Sequence, residues 1–191
     1  MRPTLREDIL DTAVTLFNER GYANVTLRDI SGVLGVSVGN LNYYFQKKQD
    51  LLTAIMERNL LTVAPKGQVS TLKEFQDLWE RMLDSLHSYA FYFRDPALAK
   101  LHPKGGENIG LLRSGALEGL ENLQKLGFFT PELTGERREQ LVRVLMLSHL
   151  GWVQQGGEDK TAFLADHWAL LEPYFTEKGR QAFCSEIENG K

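Results

Sequence analysis

The chain has 191 residues, 42% hydrophobic and 25% charged, with a formal net charge of −3; that mixture supports one or two compact domains and excludes a disordered or fibrous chain. It contains no run of roughly 20 uncharged apolar residues and its start, MRPTLREDIL, lacks the apolar stretch of a secretory signal, so we expect a soluble cytoplasmic protein with no membrane partner. Cys184 is the sole cysteine, which excludes an internal disulfide or a cysteine zinc cluster and fits a reducing compartment.

In chain order, Thr4-Leu5-Arg6-Glu7 has the capping-box spacing, and Ile9, Ala13, Leu16 and Phe17 recur at helical intervals until Gly21. Thr26-Leu27-Arg28-Asp29 repeats the start signal for a short helix bearing Leu27, Ile30 and Leu34, which Gly35 ends. Ser37 caps a third helix holding Leu41 and Phe45 on one side, and a fourth runs from about Lys48 to Pro65. Pro65, Lys66 and Gly67 mark a boundary. Thr71 and Glu74 form another capping box. Beyond it the stripe Phe75, Leu78, Trp79, Met82, Leu83, Leu86 and Tyr89 predicts one long helix to about Arg94, broken by Asp95-Pro96. A loop of Pro103, Lys104, Gly105 and Gly106 precedes a helix over about 108–126 that Gly127 stops. Further helices are expected over roughly 136–155, 160–175 and 177–188. No alternating β pattern stands between turn pairs, so the fold class is all-α.

The short helices after Thr26 and Ser37, joined through Gly35, have the form of a helix-turn-helix. Ser31 is small where two helices cross, and Ile30, Leu34, Val36 and Leu41 bury the angle between them. An ordinary helical hairpin satisfies the same spacing. The whole chain is slightly acidic, which runs against nucleic acid as a partner. Placement points the other way: no acid lies between Asp29 and Asp50, so that window can approach phosphates without local repulsion.

Ile9, Ala13, Leu16-Phe17, Gly21-Tyr22, Thr26-Leu27-Arg28-Asp29-Ile30, Leu34-Gly35-Val36-Ser37, Gly39, Leu41, Tyr44-Phe45, Lys48 and Leu51-Leu52 stand at the spacing of one known motif. Over about residues 5–60 the chain resembles the N-terminal domain of the tetracycline-repressor (TetR) family of bacterial transcription regulators. The resemblance implies that Thr26 and Ser37 cap helices and hold phosphate oxygens through their hydroxyls and neighbouring N–H groups. Val38, Gly39, Asn40, Asn42 and Tyr43 would then occupy the reading face. The amides of Asn40 and Asn42 suit adenine edges, Val38 suits a thymine methyl, and Gly39 permits close approach. Tyr44 matches the family's phosphate-contacting aromatic position and Lys48 its phosphate-binding lysine, with Arg28 in reach of a base or phosphate. A merely solvated polar face is the alternative. The family often carries Tyr where this chain has Asn42 and His where it has Tyr44, which alters the expected base preference.

The second half matches the family in architecture only. The run from Leu141 to Val153 is apolar around nearly the whole helix, and Phe163, Leu164, Trp168, Leu170, Leu171, Tyr174 and Phe175 give the next helix the same character. We expect both helices to pack on their own domain and on a second copy, with Val144, Leu147, Ser148, Gly151, Phe163, Leu170 and Tyr174 in a homodimer interface. A monomer with a fully internal helix is the alternative. The family binds an effector among its middle helices, which implies a pocket for an unknown small molecule. Trp79, Met82, Leu83, Leu86, Leu112 and Met146 are its expected lining, with His149 as polar anchor.

No histidine pair has zinc-site spacing, and no catalytic set, Walker loop or dinucleotide fingerprint is evident, so neither a metal nor a cofactor is expected. The resulting expectation is a helix-turn-helix DNA-binding domain of three helices over residues 1–48, followed by a helical bundle for ligand binding and dimerisation over 49–191. Its partners are a double-stranded operator, a second copy and an effector. An enzyme with a site in the C-terminal half and a helical protein-interaction module are the rival readings.

Overall fold

A computed structural model describes residues 4–63, 68–101, 104–157 and 159–188. The expected boundary at Pro65, Lys66 and Gly67 and the loop residue Pro103 lie outside the described residues. By compactness the chain forms two units, Met1–Thr62 with Ser88–Glu107, and Val63–His87 with Asn108–Lys191. All regular elements among the described residues are helical, and none of those helices is long and apolar enough to cross a membrane.

The first unit begins with α1 (Leu5–Arg20). The Thr4 amide donates to Glu7 Oε2 at 2.8 Å, and the Glu7 amide donates to Thr4 Oγ1 at 3.4 Å, so both members of the capping box engage. Gly21, at φ +78°, turns the chain and donates to Phe17 O. Next, α2 (Leu27–Leu34) starts at a Thr26–Asp29 capping box and ends at Gly35, whose φ of +67° is left-handed. Ser37 Oγ accepts the Asn40 amide at 3.1 Å and opens α3 (Val38–Tyr44). Then α4 (Lys48–Val63) packs Leu51, Leu52, Ile55 and Met56 into one apolar cluster with Ile9, Leu10, Phe17, Ile30 and Leu41. The compact unit is therefore larger than the 1–48 span assigned to DNA reading.

The single helix expected over 72–94 is two: α5 (Leu72–Ser88) and α6 (Ala90–Arg94), parted at Tyr89 (φ −112°, ψ 30°). The cause lies far away in sequence. Asn18 of α1 donates through Nδ2 to Ser88 O and accepts the Phe91 amide on Oδ1, each at 2.8 Å, so it takes both groups out of the helical ladder. The Asp95-Pro96 break holds, but Pro96 opens α7 (Pro96–Leu101), with Asp95 Oδ1 accepting the Ala97 amide.

α8 (Lys104–Lys125) begins before the expected start near 108, so Gly105 and Gly106 are helical rather than loop. A glycine costs a helix only about 1 kcal/mol, too little to dictate an end. In the second unit α5 faces its Phe75, Leu78, Trp79, Met82 and Leu86 inward. The remaining elements are α9 (Gly135–Gln154), α10 (Lys160–Leu171), a short 3-10 turn over Glu172–Tyr174 and α11 (Glu177–Phe183), which relaxes into a π-helical turn over Cys184–Glu188. Glycine is required at Gly179, where a Cβ would lie 2.1 Å from Phe128 O.

Candidate nucleic-acid interface

The surface of α3 is polar over an apolar floor. Leu41 is fully buried, while Val38, Gly39, Asn40, Asn42, Tyr43 and Tyr44 are exposed, Tyr43 at 85%. Seven residues of helix point one side chain at the core and leave the rest for a partner. Tyr43 and Tyr44 meet edge to face at 5.2 Å, which holds two phenol groups apart at the end of the helix. Arg28 and Val33 are both exposed on α2.

Thr26 is differently employed. Its amide donates to Asp29 Oδ2 at 2.7 Å and its hydroxyl to the same oxygen at 2.5 Å, while the Asp29 amide donates back to Thr26 Oγ1. These bonds hold the Asp29 carboxyl below the usual carboxylate range. A charged carboxylate thus already occupies the start of α2. Ser37, by contrast, uses only its acceptor lone pair in capping.

Lys48 is also held by groups of its own unit. Its ammonium donates to Tyr22 O at 2.6 Å, Val25 O at 2.8 Å and Ala23 O at 3.3 Å, and it sits 4.4 Å from the centre of the Tyr22 ring. Burial lowers its pKa below the ordinary lysine value, and the Asp29 charge opposes that shift. Sequence spacing could not reveal the contact, because the acceptors are backbone carbonyls more than twenty residues upstream.

In the second unit α9 buries Val142, Leu145, His149 and Val153, yet leaves Val144 52% and Leu147 63% exposed. The adjacent α10 leaves Leu170 42% exposed. Ser148, Gly151, Phe163 and Tyr174 are half-buried. A Cβ at Gly151 would meet nothing within 4 Å.

Of the expected effector lining, Trp79, Met82, Leu83, Leu86, Leu112 and His149 are buried and Met146 is half-buried. Two cavities among the described residues lie elsewhere. One of about 440 Å³ is floored by Leu164, Trp168, Phe183 and Ile187 and rimmed by Lys73, Gln76, Glu80, Glu186 and Glu188. A second, of about 370 Å³, is lined mainly by polar residues from Gln68 to Lys125.

His149 Nδ1 bonds Leu145 O, which leaves Nε2 as a buried acceptor without a partner. Burial, then the neighbouring His167, lowers the His149 pKa to about 3. His167, which the sequence reading passed over, lies 4.6 Å from His149 between ring centres and approaches Ser148 Oγ through Nε2 at 3.4 Å. The two histidines stand on different helices, so no short spacing announces the pair.

Comparison with known proteins agrees with this geometry. The family model for bacterial regulatory proteins of the tetR family matches residues 9–55. The uncharacterized HTH-type transcriptional regulator Rv1255c of Mycobacterium tuberculosis is 30% identical over 164 residues, spanning 83% of this chain and 80% of that protein. The HTH-type transcriptional repressor KstR2 of Rhodococcus jostii is 39% identical over 51 residues, 27% of this chain and 25% of that protein. Among solved structures, a TetR-family transcriptional regulator from Marinobacter aquaeolei VT8 superposes with a TM-score of 0.81 at 24% identity, covering 98% of both chains.

Proposed function

The chain belongs to the tetR family of DNA-binding transcriptional regulators, and from that premise we propose that it is a ligand-responsive repressor acting as a homodimer on a near-palindromic operator in the cytoplasm. The observation that carries this reading is the apolar face of Val144, Leu147 and Leu170, which one copy of the chain leaves in water. Two copies packed through α9 and α10 cover that face in both and set two α3 helices against successive half-sites.

Residues 1–48 form the reading head in this proposal and residues 49–191 serve dimerisation and ligand binding. Asn40 and Asn42 read adenine edges, Val38 a thymine methyl, and Gly39 allows close approach. Tyr43, Tyr44, Arg28 and the Ser37 hydroxyl fix the head on sugar and phosphate. Repression rather than activation is favoured by the similarity to the repressor KstR2. The effector is a mostly apolar small molecule, received where Trp79, Met82, Leu83, Leu86, Leu112 and Met146 gather. His149 Nε2 accepts a hydrogen bond from it. A ligand that prefers a head separation unsuited to the operator draws the population away from DNA, and by reciprocity DNA weakens that ligand equally.

The test combines sedimentation with gel-shift titration of DNA flanking the chain's own coding region. A dimer that binds specifically and loses affinity as salt rises supports the reading. A monomer at micromolar concentration, or equal affinity for random DNA, rejects it.

A further inference from the structure

The cavity of about 440 Å³ lies within the second unit, between α5, α10 and the π-helical turn over Cys184–Glu188, and neither Trp79, Met146 nor His149 lines it. Its volume is that of a small-molecule site. Single π turns are rare and frequent at functional sites; this one follows Phe183 and carries Ile187, which share the cavity floor with Leu164 and Trp168. Trp168 donates its indole N–H to Gln76 Oε1 at 2.9 Å, and Gln76 Nε2 donates onward to Glu80 Oε1 at 2.8 Å. That relay satisfies the polar edge of the indole and orders one rim carboxylate. Glu186 Oε2 accepts the Lys73 amide at 3.0 Å, which orders a second, and Glu188 adds a third. An ionised carboxylate offers about four lone-pair sites, so each ordered one can still accept from a further donor. Lys73 supplies the cation of the lining, and its ammonium pairs with Asp77 one turn along α5. Among the described residues no group of three His, Cys, Asp or Glu could hold a metal ion. The negative rim therefore suits a cation larger than a bare ion.

We propose that this cavity is a ligand site, distinct from the effector lining described above, and that it takes a small organic cation with an aromatic or aliphatic body. The body displaces water from Leu164, Phe183 and Ile187, and Trp168 adds the attraction of an aromatic surface for positive charge. The charge is balanced by Glu80, Glu186 and Glu188. An anion of the same shape meets the same floor but is repelled at the rim, so charge rather than apolarity sets the choice.

The experiment uses the full-length chain without DNA, so its outcome is independent of the repressor reading. The probes are tetraphenylphosphonium and tetraphenylborate, which share one shape and carry opposite charge. Tetraphenylphosphonium is expected to shift the 13C-labelled methyl resonances of Ile187 and to leave the Met146 methyl in place, with affinity falling as salt rises; tetraphenylborate is expected to leave Ile187 unmoved. Glu80→Gln combined with Glu188→Gln keeps the size of both side chains and is expected to weaken tetraphenylphosphonium by about tenfold, the sum of two exposed charge pairs. The wild-type pair of probes decides the matter even where the double variant fails to fold. An Ile187 methyl that stays in place at millimolar tetraphenylphosphonium, equal binding of both probes, a shift at Met146 instead, or unchanged affinity in a folded double variant would overturn the proposal.

Discussion

What the reading head exposes and what α9 and α10 expose differ in kind. On α3 the side chains in solvent include Asn40, Asn42 and Tyr43, above a core that Leu41 closes completely. On α9 and α10 they include Val144, Leu147 and Leu170. Water satisfies the first set, whereas covering the second stabilises an assembly by about 25 cal/mol for each Å² of apolar surface removed from water. The head is complete as a folded object and presents hydrogen-bonding groups to a polar partner. The α9–α10 face leaves apolar side chains in solvent.

The same substitution in the two places should therefore give opposite signatures. Leu41→Ala should cost about 2–5 kcal/mol of folding stability, read by denaturant unfolding at any protein concentration. Leu147→Ala should change the folding of the isolated chain by no more than about 0.5 kcal/mol but weaken self-association. Leu147→Glu should abolish the concentration dependence of the unfolding midpoint. Equal, concentration-independent losses at both sites would break the comparison.

Acid should separate the regions next. His149 titrates at about 3 in the folded chain, and burial lowers His167 in the same direction. With the folded pKa below the unfolded value, the unfolded chain binds protons first. Stability is full above about 6.5 and falls with decreasing pH until His149 itself charges near 3, by up to about 1.4 kcal/mol per pH unit for each such histidine. Residues 4–62 contain no histidine, and the tryptophans Trp79, Trp152 and Trp168 all lie in the second unit. Denaturant midpoints followed by tryptophan fluorescence should thus fall steeply between pH 6.5 and 5 (an interval set by the free histidine value of about 6.5), and His149→Leu should flatten that fall. An unchanged slope would remove His149 from the account.

Base reading is a smaller effect, confined to the head. Asn42→Ala should lose about 1–3 kcal/mol on the selected duplex, the worth of one bidentate base contact, with random DNA bound as before. Equal losses on both DNAs would assign Asn42 to the backbone. The smallest contrast is between two glycines. Gly35→Ala meets no crowding but must hold φ +67°, so it should destabilise the head by about 1 kcal/mol. Gly151→Ala sits in an open helical position and should stabilise the chain by up to about 1 kcal/mol. If copies approach closely there, it weakens the dimer at the same time, which sedimentation detects.

The head was legible in sequence because local chemistry dictates it. Thr4 with Glu7, Thr26 with Asp29, and Ser37 cap their helices within three residues, and Gly21 and Gly35 stop theirs through backbone conformations that glycine tolerates. Features set at long range were not legible. Asn18 divides α5 from α6 across about 70 residues of chain, and Lys48 finds its carbonyls across more than twenty. His167 joins His149 only because α10 lies against α9. The all-round apolar character of α9 was visible, but a single-chain pattern cannot say which stripe its own unit covers. The structure leaves the stripe of Val144 and Leu147 in solvent.

The central claim is that a polar head and an unfinished apolar face act together, two chains to one operator. Selection of duplexes from a random pool by the full-length protein, followed by sedimentation of the complex on the winning sequence, tests it most directly. The account predicts an enriched inverted repeat that binds an even number of chains, two in the simplest complex, with Leu147→Glu losing that complex. Enrichment of a lone half-site bound by one chain, or no enriched sequence at all, would contradict it.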